Sequence, residues 1–170
     1  MSLDELRGWF AGRLPDEWFT GAPELQVDRD EIIVIGQIQD PVLEDTASDE
    51  MRVSARRSRV EAFREETRDK RVRIAREAQH AFRRKVSWGV RIGDDETAFT
   101  HLAAPAMTRL RMAERKVLDT LVDSGAARSR SDALAWCVRL VGQHENDWLQ
   151  ELREALKRVH EVRQQGPDAG

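Results

Sequence analysis

Between Asp49 and Lys85 the chain carries neither glycine nor proline, and strand-like runs flank this stretch on both sides. A segment so free of breakers, with Val53, Val60, Phe63, Ile74, Ala78 and Phe82 recurring near multiples of 3.5, predicts one long amphipathic helix. Its outer face is rich in arginine. That face reads either as a phosphate-binding surface or as a solvated face laced with Glu–Arg pairs around Glu61, Glu65, Arg64 and Arg68. The flanks have period two. ELQV, DRD and EIIVIGQIQ predict a β-hairpin near 24–39, with Asp28 to Asp30 supplying the turn. KVSWGVRI, GDDE and TAFTHLA predict a second hairpin turning at 93–95. Near the start, residues 2–12 predict a short helix with Leu3, Leu6, Trp9 and Phe10 on one side. Ser2 and Glu5 form its capping box. Pro105 closes this N-terminal α+β domain, placed at 1–104.

Charge is distributed unevenly along the chain. Residues 1–48 carry 11 acids against 3 bases, whereas residues 49–85 carry 13 bases against 7 acids. The formal net charge is −3. Such asymmetry allows a local nucleic-acid surface on a chain that is acidic overall, and equally an acidic segment lying against a basic helix. One cysteine, Cys137, excludes an intrachain disulfide, and it sits beside the apolar stripe of a helix as a core residue. His80, His101, His144 and His160 have no metal spacing. No phosphate-binding glycine loop, nucleophile elbow or paired-carboxylate signature is present. The expectation is therefore a non-enzyme with no catalytic residue, no metal and no cofactor. The acidic start MSLDELRGWF lacks the apolar core of a signal peptide, and no apolar run nears the ~18 residues of a membrane span. The expected location is the cytoplasm, on the nucleoid, with no membrane partner.

The most informative stretch is MTRLRMAERKVLDTLVDSGAARSRSDALAWCV, residues 107–138. In AMTRLRM the side chains alternate across a predicted strand. Thr108, Leu110 and Met112 share one face; Met107, Arg109 and Arg111 share the other, which must meet water or a polyanion. A helix follows over about 113–124, with Val117, Leu118, Leu121 and Val122 as its stripe. Gly125 fits the left-handed position that ends a helix. Ser129 with Asp132 is a capping box opening a second helix, whose first-turn N–H groups lie between Arg128 and Arg130. A helix start so flanked suits a phosphate.

These parts in this order resemble the ribbon-helix-helix DNA-binding family over about 105–142. The resemblance implies that two copies pair their strands into an antiparallel ribbon that enters the major groove of double-stranded DNA. It places the base-reading positions at Met107, Arg109 and Arg111, and the phosphate anchor at Ser129, Arg130 and Ser131, beside Arg128. The chain departs from the family pattern in having Met112-Ala113 where a Pro, Ser or Thr usually opens the first helix. It also places the module, 105–144, after another domain.

A lone strand and two short helices bury too little by themselves, so the module needs a second copy. The dimerisation core is expected at Leu110, Val117, Leu121, Leu134, Val138 and Val141. Beyond it the second helix is expected to continue. Trp148, Leu152, Ala155, Val159 and Val162 extend a heptad seam interrupted at Glu145, with a kink at Gly142 and a C-terminal helix and tail over 145–170. The whole predicts an α+β chain and a homodimeric (or higher) transcriptional regulator, its N-terminal domain open to a ligand or protein partner. The alternative is a dimeric interaction or structural protein that binds protein or RNA through that N-terminal domain.

Overall fold

The computed structural model describes residues 2–165, the side chains of residues 146, 160, 164 and 165 excepted. The chain is mixed α+β, with six helices and one four-stranded sheet among these residues. It divides into two units, Met1–Pro105 and Ala106–Gly170.

In the first unit the first hairpin forms where the sequence places it, whereas the second turns at Gly93 but returns along Asp95–Ala98 rather than the expected 97–103. Strands β1 (Glu24–Val27) and β2 (Glu31–Gln37) pair antiparallel, as do β3 (Lys85–Ile92) and β4 (Asp95–Ala98). The Asp28 carboxylate accepts from the N–H groups of Asp30 and Glu31 and closes the first turn. Gly93, at φ +57°, supplies the left-handed residue of the second. The hairpins join through β2 and β3, which run parallel with Ile32 beside Val86 and Val34 beside Trp88. Parallel neighbours need a crossover of a dozen residues or more, and the glycine-free stretch provides it.

That crossover is two helices rather than the single predicted one: α2 (Asp49–Glu66) and α3 (Arg68–Phe82) meet at Thr67. The physical cause lies in side chains that compete for backbone carbonyls. Thr67 Oγ1 donates to the Phe63 carbonyl at 2.6 Å, and Arg71 Nη2 donates to the Arg64 carbonyl at 2.6 Å. Arg71 is buried, its guanidinium 4.9 Å from the Phe99 ring centroid and its Nε bonded to Thr67 Oγ1. An arginine in an otherwise apolar stripe gives no helix-breaking signal in the sequence.

Helix α1 (Leu3–Ala11) starts at Ser2, whose Oγ accepts from the Glu5 N–H. It buries Leu6 and Phe10 against Ile32, Val34, Trp88, Ile74 and Ala78. Val60, Val90, Ile92 and Ile38 extend this core toward α2. On the opposite face of the sheet, Ile35 is also buried, beside a hollow lined by Thr100, His101 and Leu102. Gly36 is demanded by close approach: an added Cβ would fall inside the Phe19 ring.

The second unit holds α4 (Met112–Asp123), α5 (Arg130–His144) and α6 (Asn146–Gln165). The predicted strand over 107–112 does not form in the single chain; residues 101–111 have no regular structure, and Met112 already belongs to α4. A strand requires a partner for its N–H and C=O groups, and the chain offers none there. The predicted continuous second helix breaks at Glu145 (φ −114°, ψ 29°), while Gly142 stays inside α5.

Two glycines separate close approach from mere flexibility. Gly8 lies in α1 with open space around its Cβ position, so Gly8→Ala should stabilise the first unit by ~0.5–1 kcal/mol. Gly36→Ala should destabilise it by ~1–3 kcal/mol, because Phe19 must leave its place. Thermal denaturation of the two variants should move the midpoint in opposite directions.

Candidate nucleic-acid interface

Around residues 107–111 the predicted alternation is not seen, and Leu110 is the one residue there that is not exposed. Leu110 is half-buried against Leu118, Ala127 and Ala133, the small buried heart of the second unit. Met107 is fully exposed at 100 %, and Arg109 and Arg111 are exposed. Thr108 and Met112, expected on the Leu110 side, are exposed instead. Among the described residues, neither Arg109 nor Arg111 makes a side-chain ion pair. Arg111 is the extended residue before α4 (φ −78°, ψ 172°), and its backbone N–H is held by the Glu114 carboxylate. Arginine has no acceptor atom, so only the carboxylate half of a capping box is possible there. Arg115 Nη1 donates to the Leu110 carbonyl at 2.6 Å, which ties the segment to the start of α4.

Helix α4 ends as predicted, with Gly125 at φ +76°. The Ala127 N–H then reaches back to the Leu121 carbonyl, turning the chain toward α5. Ser129 caps α5, its Oγ accepting from the Asp132 N–H at 3.2 Å. The Asp132 carboxylate accepts from the Arg128 N–H at 3.0 Å, one residue before the position a reciprocal box would use. Arg128 and Ser131 are exposed.

Arg130 is placed differently from the expected free anchor. Its Nε and Nη2 lie 2.6 and 2.8 Å from the two oxygens of Asp119, a two-bond pair that clamps the start of α5 onto α4. Those bonds hold the Asp119 carboxyl below its ordinary value and raise Arg130 in turn. Nothing local marks Asp119 as this partner, because the two residues are brought together only by the turn at Gly125.

The residues expected to form a dimer core divide into two sets. Leu110, Leu121 and Leu134 pack partly against Leu118, Ala127 and Ala133. Val117, Val138 and Val141 are exposed at 56, 66 and 49 %. Helix α6 adds Trp148, Leu152, Leu156, Val159 and Val162, all exposed. Cys137 is half-buried beside the small core. No group of three or more possible metal ligands occurs among the described residues. No helix there is long and apolar enough to cross a membrane. In the first unit, a hollow of ≈ 510 Å³ opens between α1 and the loop before β1, with Ala11, Leu14, Phe19 and Leu25 among its walls.

The Asp119–Arg130 pair has a definite pH signature. A carboxyl with a depressed pKa stabilises the fold above its unfolded value and loses that contribution as pH falls through the folded one. The wild type should therefore melt above Asp119→Asn at neutral pH. The difference should begin to shrink as pH drops below about 4, the ordinary aspartate value, and should vanish only once pH is below the depressed value of the folded state. Circular-dichroism melts across that range measure it.

Comparison with known proteins matches both units. Residues 4–98 match the Rv1265-like protein N-terminal domain, and residues 111–163 match the Mb1296 C-terminal domain. Uncharacterized protein Mb1296 of Mycobacterium bovis and uncharacterized protein Rv1265 of Mycobacterium tuberculosis are each 58 % identical over 161 residues. The match covers 94 % of this chain and 69 % of each relative. No solved structure matches significantly. With more than half its length under the first domain and this degree of identity, the chain belongs to the Rv1265-like family.

Proposed function

We propose that this protein is a homodimeric DNA-binding protein acting as a transcriptional regulator on the cytoplasmic nucleoid. Residues 107–111 of two copies pair as an antiparallel ribbon, and Met107, Arg109 and Arg111 face the major groove of double-stranded DNA. The observation that carries this reading is the polarity of the segment: two exposed arginines stand out, while Leu110 turns toward the two-helix unit behind it. A second copy gives that segment the backbone partner it lacks. It also covers Val117, Val138 and Val141, which the chain leaves in water. At about 25 cal/mol per Å² of apolar surface, burial of such side chains supplies the association energy that the small core of the unit cannot.

In this reading Ser129, Ser131 and Arg128 meet a phosphate at the start of α5, where the helix dipole favours an anion. Arg130 contributes there after exchanging Asp119 for phosphate, since a guanidinium binds either in the same two-bond geometry. The function needs no catalytic residue, metal or cofactor.

A second reading takes support from Arg130. If the Asp119 pair is permanent, the module serves dimerisation alone. The protein is then an interaction or structural protein that binds protein or RNA through its first unit, where the hollow beside α1 also offers a ligand site.

Selection of bound sequences from random DNA, followed by mobility shifts, separates the two readings. Arg109→Ala and Arg111→Ala should each weaken specific binding by roughly 5- to 150-fold, the equivalent of 1–3 kcal/mol per guanine contact. Sedimentation should still find a dimer. Unchanged affinity in the double variant would turn the assignment to the second reading. Val138→Glu places a charge on the proposed dimer face and should abolish dimer and DNA binding together.

A further inference from the structure

The arginines of the crossover helices are not equivalent. Arg56 pairs with Asp40 and Asp95, Arg57 with Glu61, and Arg71 is buried. On α3 and its cap, Arg73, Arg76, His80 and Arg83 are exposed and lie in line at steps of three, four and three. At 1.5 Å per residue they form a straight stripe about 15 Å long. None of them makes an ion pair among the described residues. The neighbouring carboxylate of Glu77 is taken by Arg13, and the acid in line is Asp69, a turn before the stripe begins.

Two further features concentrate donors at one end. Arg76, Gln79, His80 and Arg83 line a hollow of ≈ 450 Å³, and every one of these side chains can donate a hydrogen bond. Arg83 holds a left-handed backbone (φ +57°), a conformation that costs a side-chain-bearing residue energy. Attraction of cations to the helix C-terminus accounts for His80 and Arg83, in or beside the last turn, but not for Arg73 and Arg76.

We propose that this stripe is a second, sequence-independent nucleic-acid site that binds the phosphate backbone. Each strand of a duplex offers one charge per about 3.4 Å of axis, so a 15 Å line of forked guanidinium donors meets several phosphates at once. A lipid surface fits less well. Val72 is the one large apolar side chain exposed on α3, too little to enter a membrane interface. The site lies in the first unit and does not depend on the ribbon reading of the second.

The test uses the full chain and fluorescein-labelled random-sequence duplex DNA, with anisotropy read over a range of salt concentrations. The triple variant Arg73→Gln, Arg76→Gln, Arg83→Gln should bind at least ten-fold more weakly at low salt. Its log–log salt slope should fall by roughly 2–3, at about 0.9 for each phosphate no longer neutralised. The charge-matched control Arg7→Gln, Arg57→Gln, Arg59→Gln should keep the wild-type slope, and lysine at the three stripe positions should largely restore it. Should the triple variant lose its fold by circular dichroism, Arg76→Gln alone should lower the slope by about one. Equal effects of stripe and control variants, or no DNA binding by the wild type, overturn the proposal. So does a slope that responds only to Arg109→Ala and Arg111→Ala, a result that would leave the ribbon reading standing. Tighter binding to phosphatidylserine vesicles or to polyglutamate than to DNA overturns it as well.

Discussion

Parallel neighbours cannot be joined by a turn, and the pairing of β2 with β3 is the constraint on which the rest of the first unit depends. It forces the chain to leave the sheet after Gln37 and return at Lys85, so the intervening residues must form a layer over one face. That layer presents Val60, Phe63, Ile74 and Ala78 to the inward side chains of the strands, and α1 closes the remaining gap with Leu6 and Phe10. Both hairpins then fall on the outside of the central pair. Each helix of the layer has one face in the core and one in water, and its arginines other than buried Arg71 lie toward the watery face.

The second unit is governed by a deficit. Its buried heart is Leu118, Ala127 and Ala133, two of them alanines, while large side chains on α4, α5 and α6 stay exposed. Alanine lets α4 and α5 approach closely, yet it contributes little apolar area. A unit so built leaves Val117, Val138, Val141, Trp148 and Leu156 in water around a small core. The same deficit explains the absence of a strand at 107–111, because edge pairing and apolar cover are both missing in one chain. Arg115 and Glu114 meanwhile satisfy the Leu110 carbonyl and the Arg111 N–H, so this segment is anchored to α4 rather than adrift.

Arginine does three different jobs here. Buried Arg71 takes carbonyl and hydroxyl acceptors and a ring face, and thereby breaks one helix into two. Arg56, Arg91 and Arg130 form carboxylate pairs that link elements distant in sequence. Exposed Arg73, Arg76, Arg83, Arg109 and Arg111 make no ion pair among the described residues and keep their hydrogen-bonding capacity for water or for a polyanion. Composition alone does not sort these classes, since the choice depends on where acids and carbonyls lie in space.

Much was legible without coordinates. The first hairpin, the turn of the second, the capped first helix, the Gly125 stop and the Ser129 start follow from period-two runs, turn residues and caps, whose causes act within a few residues. The alternation expected over 107–112 did not form: Leu110 alone is half-buried there, and Thr108 and Met112 are exposed beside Arg109 and Arg111. The tertiary structure alone decided the parallel pairing at the centre of the sheet, the break at Thr67 and the capture of Arg130 by Asp119. Those outcomes rest on contacts between residues far apart in sequence, or on competition for one carbonyl by several donors. No local pattern encodes such competition, because its result depends on which partner the folded chain brings within reach.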